Sequence, residues 1–405
     1  MKKRFIVIVL DSFGVGYMDD VPAVRPEDIG ANTCKHILEK VTDLKLINLE
    51  KLGIMNALGE DIGLMKKSEY CTYGKSKLMH FGGDTFFGHQ EIMGTLPRMP
   101  LMKPFSFYLD KVYNALVKNG YTVEKIGDNH LKYLFVNGCV AVGDNLETDL
   151  GQVYNITSTL QKMPFDDILK IGKIVRANVE VARVIVFAGE NSTVESIKAA
   201  AEEKNGLYMG INAPKSKVYE KGYMVRHLGY GIDPETQVPT IMGKAGKNSI
   251  LIGKVADIVE NELGKSYMGL VDTKTIFNIT LEEMDKIDEG FICVNIQETD
   301  LSGHAEDAEK YAEILEISDD YIGEIMDKIT DDDILIVTAD HGNDPTIGHS
   351  RHTRENVPLL IYKKDLKNTF IGLRESLSDI GATAAEYFQI KMPQNGESFL
   401  DKKKK

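Results

Sequence analysis

The sequence predicts an α/β protein: a parallel-rich sheet flanked by helices, interrupted by an inserted α+β domain. Three observations point there. Apolar, β-branched runs recur and end in polar residues: Phe5 to Leu10 before Asp11, Ser249 to Ile252 before Gly253 and Lys254, Phe291 to Ile296 ahead of Asp300, and Ile334 to Ala339 before Asp340 and His341. The runs are continuous rather than alternating, as expected for strands covered on both faces of a parallel sheet. Between them lie amphipathic stretches such as Ala305 to Ile329, whose apolar residues recur at three and four. The middle third reads as a separate mixture of shorter strands and helices.

Taken in order, the N-terminal MKKRFIVIVLDS has basic residues and an apolar run like a short secretion signal. The run is only about six residues long and ends in Asp11, below the usual seven to fifteen or so, and it reads as the first strand of a cytoplasmic protein. After Pro97, Pro100 and Pro104 come a helix-like segment, Tyr108 to Gly120, and strand candidates at Lys132 to Val142, Ala182 to Ala188 and Leu207 to Asn212. The predicted organisation is a catalytic core over residues 1–99 and 220–405, with an inserted cap over 100–219. In open parallel sheets ligands bind beyond the carboxyl ends of the strands, so polar residues from four distant segments are expected to meet on one rim.

The 405 residues, 43% apolar and 27% charged, suffice for a large core and two domains. Cys34, Cys71, Cys139 and Cys293 form no CxxC pair and read mostly as inert core thiols. No stretch approaches the roughly 20 apolar residues of a membrane span. A net charge of −13 disfavours nucleic acid and would repel a phosphorylated metabolite at long range, so an anionic substrate needs local positive charge. No pattern assigns an oligomeric state. The Lys402 to Lys405 run reads as a solvated tail.

Asp11, Asp300 and Asp340 each follow a buried strand, where an unpaired carboxylate is expensive, and His304, His341 and His352 lie at short range. Any one of these histidines alone is better read as an ordinary hydrogen-bonded imidazole. Together the six groups exceed the needs of one tetrahedral ion and suit two divalent ions, three ligands each; carboxylate and imidazole accommodate Mn²⁺, Zn²⁺ or Mg²⁺. In FGGDTFFGHQEIMG, Phe81 to Gly94, Asp84 and Thr85 stand where a helix can start. Local sequence favours Thr85 as a simple cap, although a hydroxyl there faces free N–H groups suited to a phosphate.

DSFGVG at Asp11, GGDTFFGHQEIMG around Thr85, TADHGNDP at Asp340, RHTRENVPLL at His352 and DIGATAAEYF near the C-terminus resemble the motifs of phosphopentomutases, members of the alkaline phosphatase superfamily. The resemblance implies an alkaline-phosphatase-like core in which Thr85 carries the phosphoryl group. It also implies that Asp11, Asp340 and His341 hold one ion and Asp300, His304 and His352 the other, the ions usually being manganese. In that family the aspartate and histidine of the second site are five residues apart, whereas TDLSGH places Asp300 four before His304, as in cofactor-independent phosphoglycerate mutases of the same superfamily. Where family members carry a serine-rich segment for the ribose phosphate, this chain reads AVGDNLETDLGQVYN.

The implied activity is a phosphomutase acting within a phosphorylated sugar or polyol, with the cap shielding the intermediate from water. The alternative is a phosphatase or phosphodiesterase on the same core. Lys254, Arg351 and Arg354 are candidates for phosphate oxygens, with ordinary salt bridges as the competing reading. The acidic Asp144, Glu147 and Asp149 of the cap are candidates for hydroxyl- or amine-bearing substrate groups, against an exposed acidic turn. His89 and Glu91 read as buttresses of the Thr85 loop, and His349 as solvent-facing or supporting.

Overall fold

The computed structural model describes residues 2–147, 150–364 and 368–400; Asp149 and the Lys402 to Lys405 tail lie outside the described residues. The chain forms two compact units, residues 1–97 with 233–405, and residues 98–232.

The first unit is built on an eight-stranded sheet in the order Lys265–Tyr267, Asn248–Ile252, Glu289–Ile296, Lys3–Leu10, Ile334–Thr338, Val357–Tyr362, Thr72–Ser76, Thr369–Arg374. Only Val357–Tyr362 runs against its neighbours. Phe5 through Leu10 are fully buried, which explains the unbroken apolar run: this central strand meets packed side chains on both faces. Register sets Leu10 opposite Ile296, Val9 opposite Thr338 and Ile252 opposite Val294, so four strands end together. The helical stretch expected over Ala305 to Ile329 is the helix Ala308–Lys328. Its start is set by Asp307, whose side chain accepts from Lys310 N, and the residues just before form a separate short helix, Glu298–His304. At the opposite end of the central strand Arg4 is buried, its Nε and backbone N–H donating to Asp333 Oδ1 at 3.0 and 2.8 Å and its NH2 to Oδ2.

The second unit is a six-stranded sheet in the order Met224–Gly229, Arg183–Gly189, Val153–Thr159, Val140–Asp144, Leu131–Val136, Val123–Asp128. One face packs on the helices Phe105–Lys118 and Phe165–Asn178; on the other, Tyr133, Phe135 and Ala141 pack with Ile197 and Ile211. The expected return to the core at residue 220 is corrected to Asp233, because Met224–Gly229 pairs antiparallel with Arg183–Gly189 and closes the inserted sheet. The expected single strand Lys132 to Val142 is two, joined at Asn137 and Gly138 with φ of 47° and 67°. Asn-Gly is the pair that best tolerates the left-handed φ values of a tight hairpin turn. No helix among the described residues is long and apolar enough to cross a membrane.

Candidate active site

The common strand ends deliver the acidic residues. Asp11 directly follows the central strand, Asp340 lies two residues beyond Thr338, and Asp300 sits in the short helix after Ile296. The spacing of four from Asp300 to His304 places both on one face of that helix, with His304 Nε2 3.4 Å from Asp300 Oδ2. His352 Nε2 lies 3.3 Å from Asp300 Oδ1 and 3.0 Å from His304 Nε2. His341 Nε2 lies 3.4 Å from both Asp11 Oδ1 and Asp340 Oδ2. Two groups able to hold a cation emerge, Asp11 with Asp340 and His341, and Asp300 with His341 and His352.

The three imidazoles share one arrangement. Nδ1 of His304 meets Ser350 O at 2.6 Å, that of His352 meets Gly83 O at 2.7 Å, and that of His341 meets Gly342 O at 2.9 Å. A carbonyl only accepts, so each Nδ1 carries a proton, which leaves Nε2 as the nitrogen that would ligate a metal on giving up any proton of its own. Asp11 Oδ1 and His341 Nε2 are buried without a hydrogen-bond partner among the described residues. Two such atoms side by side are costly unless a further group satisfies both. The charge balance agrees. Burial opposes the His341 cation, yet Asp340, Asp11 and Asp300 raise its pKa to about 10. Burial likewise opposes charge on Asp300, but His304, His352 and His341 hold it below the carboxylate range, and Asp340 is held low by His341, His89 and Lys254. The donor set draws in positive charge and fits divalent cations.

Thr85 is the first residue of the helix Thr85–Ile92, and Asp84 caps it by accepting from Phe87 N. The cap is thus Asp84, which leaves the Thr85 hydroxyl to donate to Asp340 Oδ2 at 2.6 Å. Gly88 permits the approach: a Cβ there would stand 2.7 Å from Asp340 O. His89 is buried, its Nδ1 2.9 Å from Thr85 O and 3.1 Å from Asp340 Oδ2, and its Nε2 3.0 Å from Asn295 Nδ2. Glu91 accepts from the backbone of Met79 and His80, so both residues brace the loop.

Lys254 Nζ lies 3.0 Å from Asp11 Oδ2 and 3.3 Å from Asp300 Oδ2, inside the cluster. The other charged candidates have partners of their own. Arg354 is buried and donates to Asp20 and to the carbonyls of Leu78, His80 and Gly82, which makes it a clamp on the Thr85 loop rather than a substrate ligand. Arg351 is exposed, 3.5 Å from Glu27. Asp144 is buried within the inserted unit and accepts from Phe105 N and Met209 N, so it ties elements together instead of facing a ligand. Glu147 accepts from the Tyr219 hydroxyl at 2.8 Å. His349 Nε2 lies 3.3 Å from Asp28 Oδ1, away from the six ligands' own contacts.

Two supporting residues were not anticipated. Asn295 donates to Asp11 Oδ2 at 3.1 Å and Asn343 to Asp300 Oδ1 at 3.0 Å, each orienting a carboxylate. A lone amide within the apolar run FICVNI was the available signal for Asn295; Asn343 carried none beyond its place in TADHGNDP.

The metalloenzyme superfamily matches the chain over residues 3–392. The phosphopentomutase of Clostridium novyi (strain NT) is 31% identical over 419 residues, covering 99% of each chain. That of Alkaliphilus oremlandii (strain OhILAs) is 31% identical over 408 residues, covering 98% of each. Among solved structures, a phosphoglycerate mutase of Leishmania mexicana at low cobalt concentration is 11% identical with a TM-score of 0.47, covering 98% of this chain and 97% of that one. Matched over residues 3–392, with acidic and histidine side chains gathered at its strand ends, the chain belongs to the metalloenzyme superfamily and is a phosphopentomutase-like enzyme within it.

Proposed function

We propose that the chain is a dinuclear-metal phosphomutase that moves a phosphoryl group within a sugar or polyol phosphate by way of Thr85. The observation that carries this reading is the 2.6 Å hydrogen bond from the Thr85 hydroxyl to Asp340, one of six ligand-type groups gathered at the strand ends. Asp11, Asp340 and His341 would hold one ion, and Asp300, His304 and His352 the other, with manganese as the proposed metal. Bound there, the ions supply Lewis-acid charge that favours an alkoxide on threonine and stabilises a transferring phosphoryl group.

The chain's own residues set the geometry around that chemistry. Asp340 Oδ2 accepts the Thr85 proton's hydrogen bond and aims Oγ1 into the cluster, while His89 holds the carbonyl of the same residue. Lys254 offers an ammonium to substrate oxygens. In the cycle, phosphothreonine 85 gives its phosphoryl group to a hydroxyl of a sugar monophosphate: the Thr85 Oγ–P bond breaks, a sugar O–P bond forms and the hydroxyl proton is released. The resulting bisphosphate turns round, and Thr85 Oγ takes back the other phosphoryl group, leaving the isomer.

The test is a coupled assay of the manganese-loaded protein against pentose, hexose and polyol phosphates, following isomer formation and inorganic phosphate together. Isomer outpacing phosphate release, with Thr85→Ala inactive, is the expected result. Phosphate release without isomer on every compound would replace this reading with hydrolysis.

A further inference from the structure

A second cavity, of about 430 Å³, lies in the core unit and contains none of the six proposed ligands in its lining. Its walls include Gly16, Asn32, the basic Lys35 and His36 from the helix Thr33–Lys40, Lys75 from the strand Thr72–Ser76, and Asn356.

Its charge runs against that of the chain. The protein has 61 acidic residues against 48 lysines and arginines, yet among the described residues this lining holds two lysines and a histidine and no aspartate or glutamate. Lys35 already has a partner, Glu60 at 2.8 Å. Lys75 has none: its Nζ makes no hydrogen bond or ion pair among the described residues, although the side chain is only partly exposed. Burial pulls that ammonium below its ordinary value. A partly desolvated cation without a counter-ion is costly, and an anion in the cavity would remove that cost. The ring of His36 is held through Nδ1 by Asp344 and makes no other hydrogen bond among the described residues. Asn356 Nδ2 already donates to Gly16 O, but the ammonium, the imidazole and the Nδ2 of Asn32, whose Oδ1 accepts from Lys35 N, form a donor set matched to the several acceptor oxygens of a phosphate.

We propose that this cavity is a second anion site, separate from the metal cluster, which takes a small phosphate-bearing molecule. It is tied to both metal-binding turns. Asp344, three residues after His341, accepts from Asn32 N at 2.9 Å as well as from His36. Glu355, three residues after His352, accepts from Gly16 N at 3.1 Å and from Thr33 N at 2.9 Å. The occupant is either free orthophosphate or a phosphorylated metabolite, and competition distinguishes them.

Full-length, metal-loaded protein is treated with limiting pyridoxal 5′-phosphate, whose aldehyde forms an imine with a lysine beside its bound phosphate; borohydride reduction and peptide mapping then locate the label. Lys75 should be labelled ahead of the exposed Lys170, and orthophosphate at about four times its Kd should lower labelling of Lys75 about five-fold by mass action without affecting Lys170. A sugar monophosphate protecting at lower concentration than orthophosphate identifies the metabolite as occupant; the reverse identifies the free ion. Titration calorimetry with orthophosphate should show one binding event fewer in Lys75→Met than in wild type. Labelling of Lys75 no faster than Lys170, or unchanged by either anion, overturns the proposal even if the variant does not fold.

Discussion

Asp340 shows how much one side chain does at the centre of this molecule. Its Oδ1 accepts from Ser12 N at 3.1 Å, its Oδ2 accepts from Thr85, and both His89 and His341 lie against it. His89 is a positioning residue in this arrangement, since it acts on Thr85 through the backbone carbonyl and on Asp340 through the carboxylate. His89→Leu is expected to lower kcat by about 10² with KM and bound metal little changed, the size of effect that follows a misplaced reacting group. His304→Ala should instead release metal, measured by elemental analysis of the dialysed protein. That the acidic and histidine side chains meet was legible because such groups are expensive at buried strand ends and therefore need partners. Arg354 was not: its side-chain partner Asp20 is 334 positions away, and an arginine two residues from His352 looks the same in sequence whether it points at phosphate or at carbonyls.

At the scale of elements, the parallel strands were readable from their unbroken apolar runs, whereas the pinning of their N-terminal ends was not. Arg4 belongs to the basic residues that open the chain, and nothing in their pattern pointed to a buried partner, yet it is buried against Asp333, with further donation to Met284 O and Lys328 O. Arg4→Met removes the guanidinium and leaves the buried Asp333 carboxylate with Thr330 and the residue-4 backbone N–H but no counter-charge, and is expected to destabilise the core unit by about 3–5 kcal/mol in denaturant titration. The Asn137-Gly138 turn carried a readable hairpin signal, but the apolar residues flanking it merged into one apparent strand. Asp144 gives the inserted unit a pH dependence. Burial pushes its carboxyl up to about 7, against the pull of the Met209 and Phe105 N–H groups. The folded form therefore binds a proton that the unfolded chain, near 4, has lost. The contribution favours folding at low pH and is lost between about pH 4 and 7, at up to about 1.4 kcal/mol per unit. Asp144→Asn should remove that slope, seen by comparing melting temperatures of variant and wild type at pH 5 and pH 8.

Over the whole molecule, the proposed catalytic rim is assembled from segments that are remote in sequence: the ends of Lys3–Leu10 and Ile334–Thr338, the helix after Glu289–Ile296, and the loop bearing His352. Which strands end in acidic residues was readable from the sequence; their order in the sheet was not, because register and adjacency follow from long-range packing. Removing ions bound at such a site should lower stability, since a ligand at about 100 times its Kd contributes about 2.7 kcal/mol to the native state. Elemental analysis of manganese-loaded protein is expected to return two ions per chain, and a chelator should lower its melting temperature by several degrees.

The central claim, that Thr85 carries the phosphoryl group, is tested most directly by intact mass and peptide mapping of the protein after turnover of a sugar phosphate. The expected result is a mass increase of about 80 Da, mapped to Thr85 and absent from Thr85→Ala. A turning-over enzyme with no phosphate on Thr85, or with phosphate confined to another residue, contradicts it.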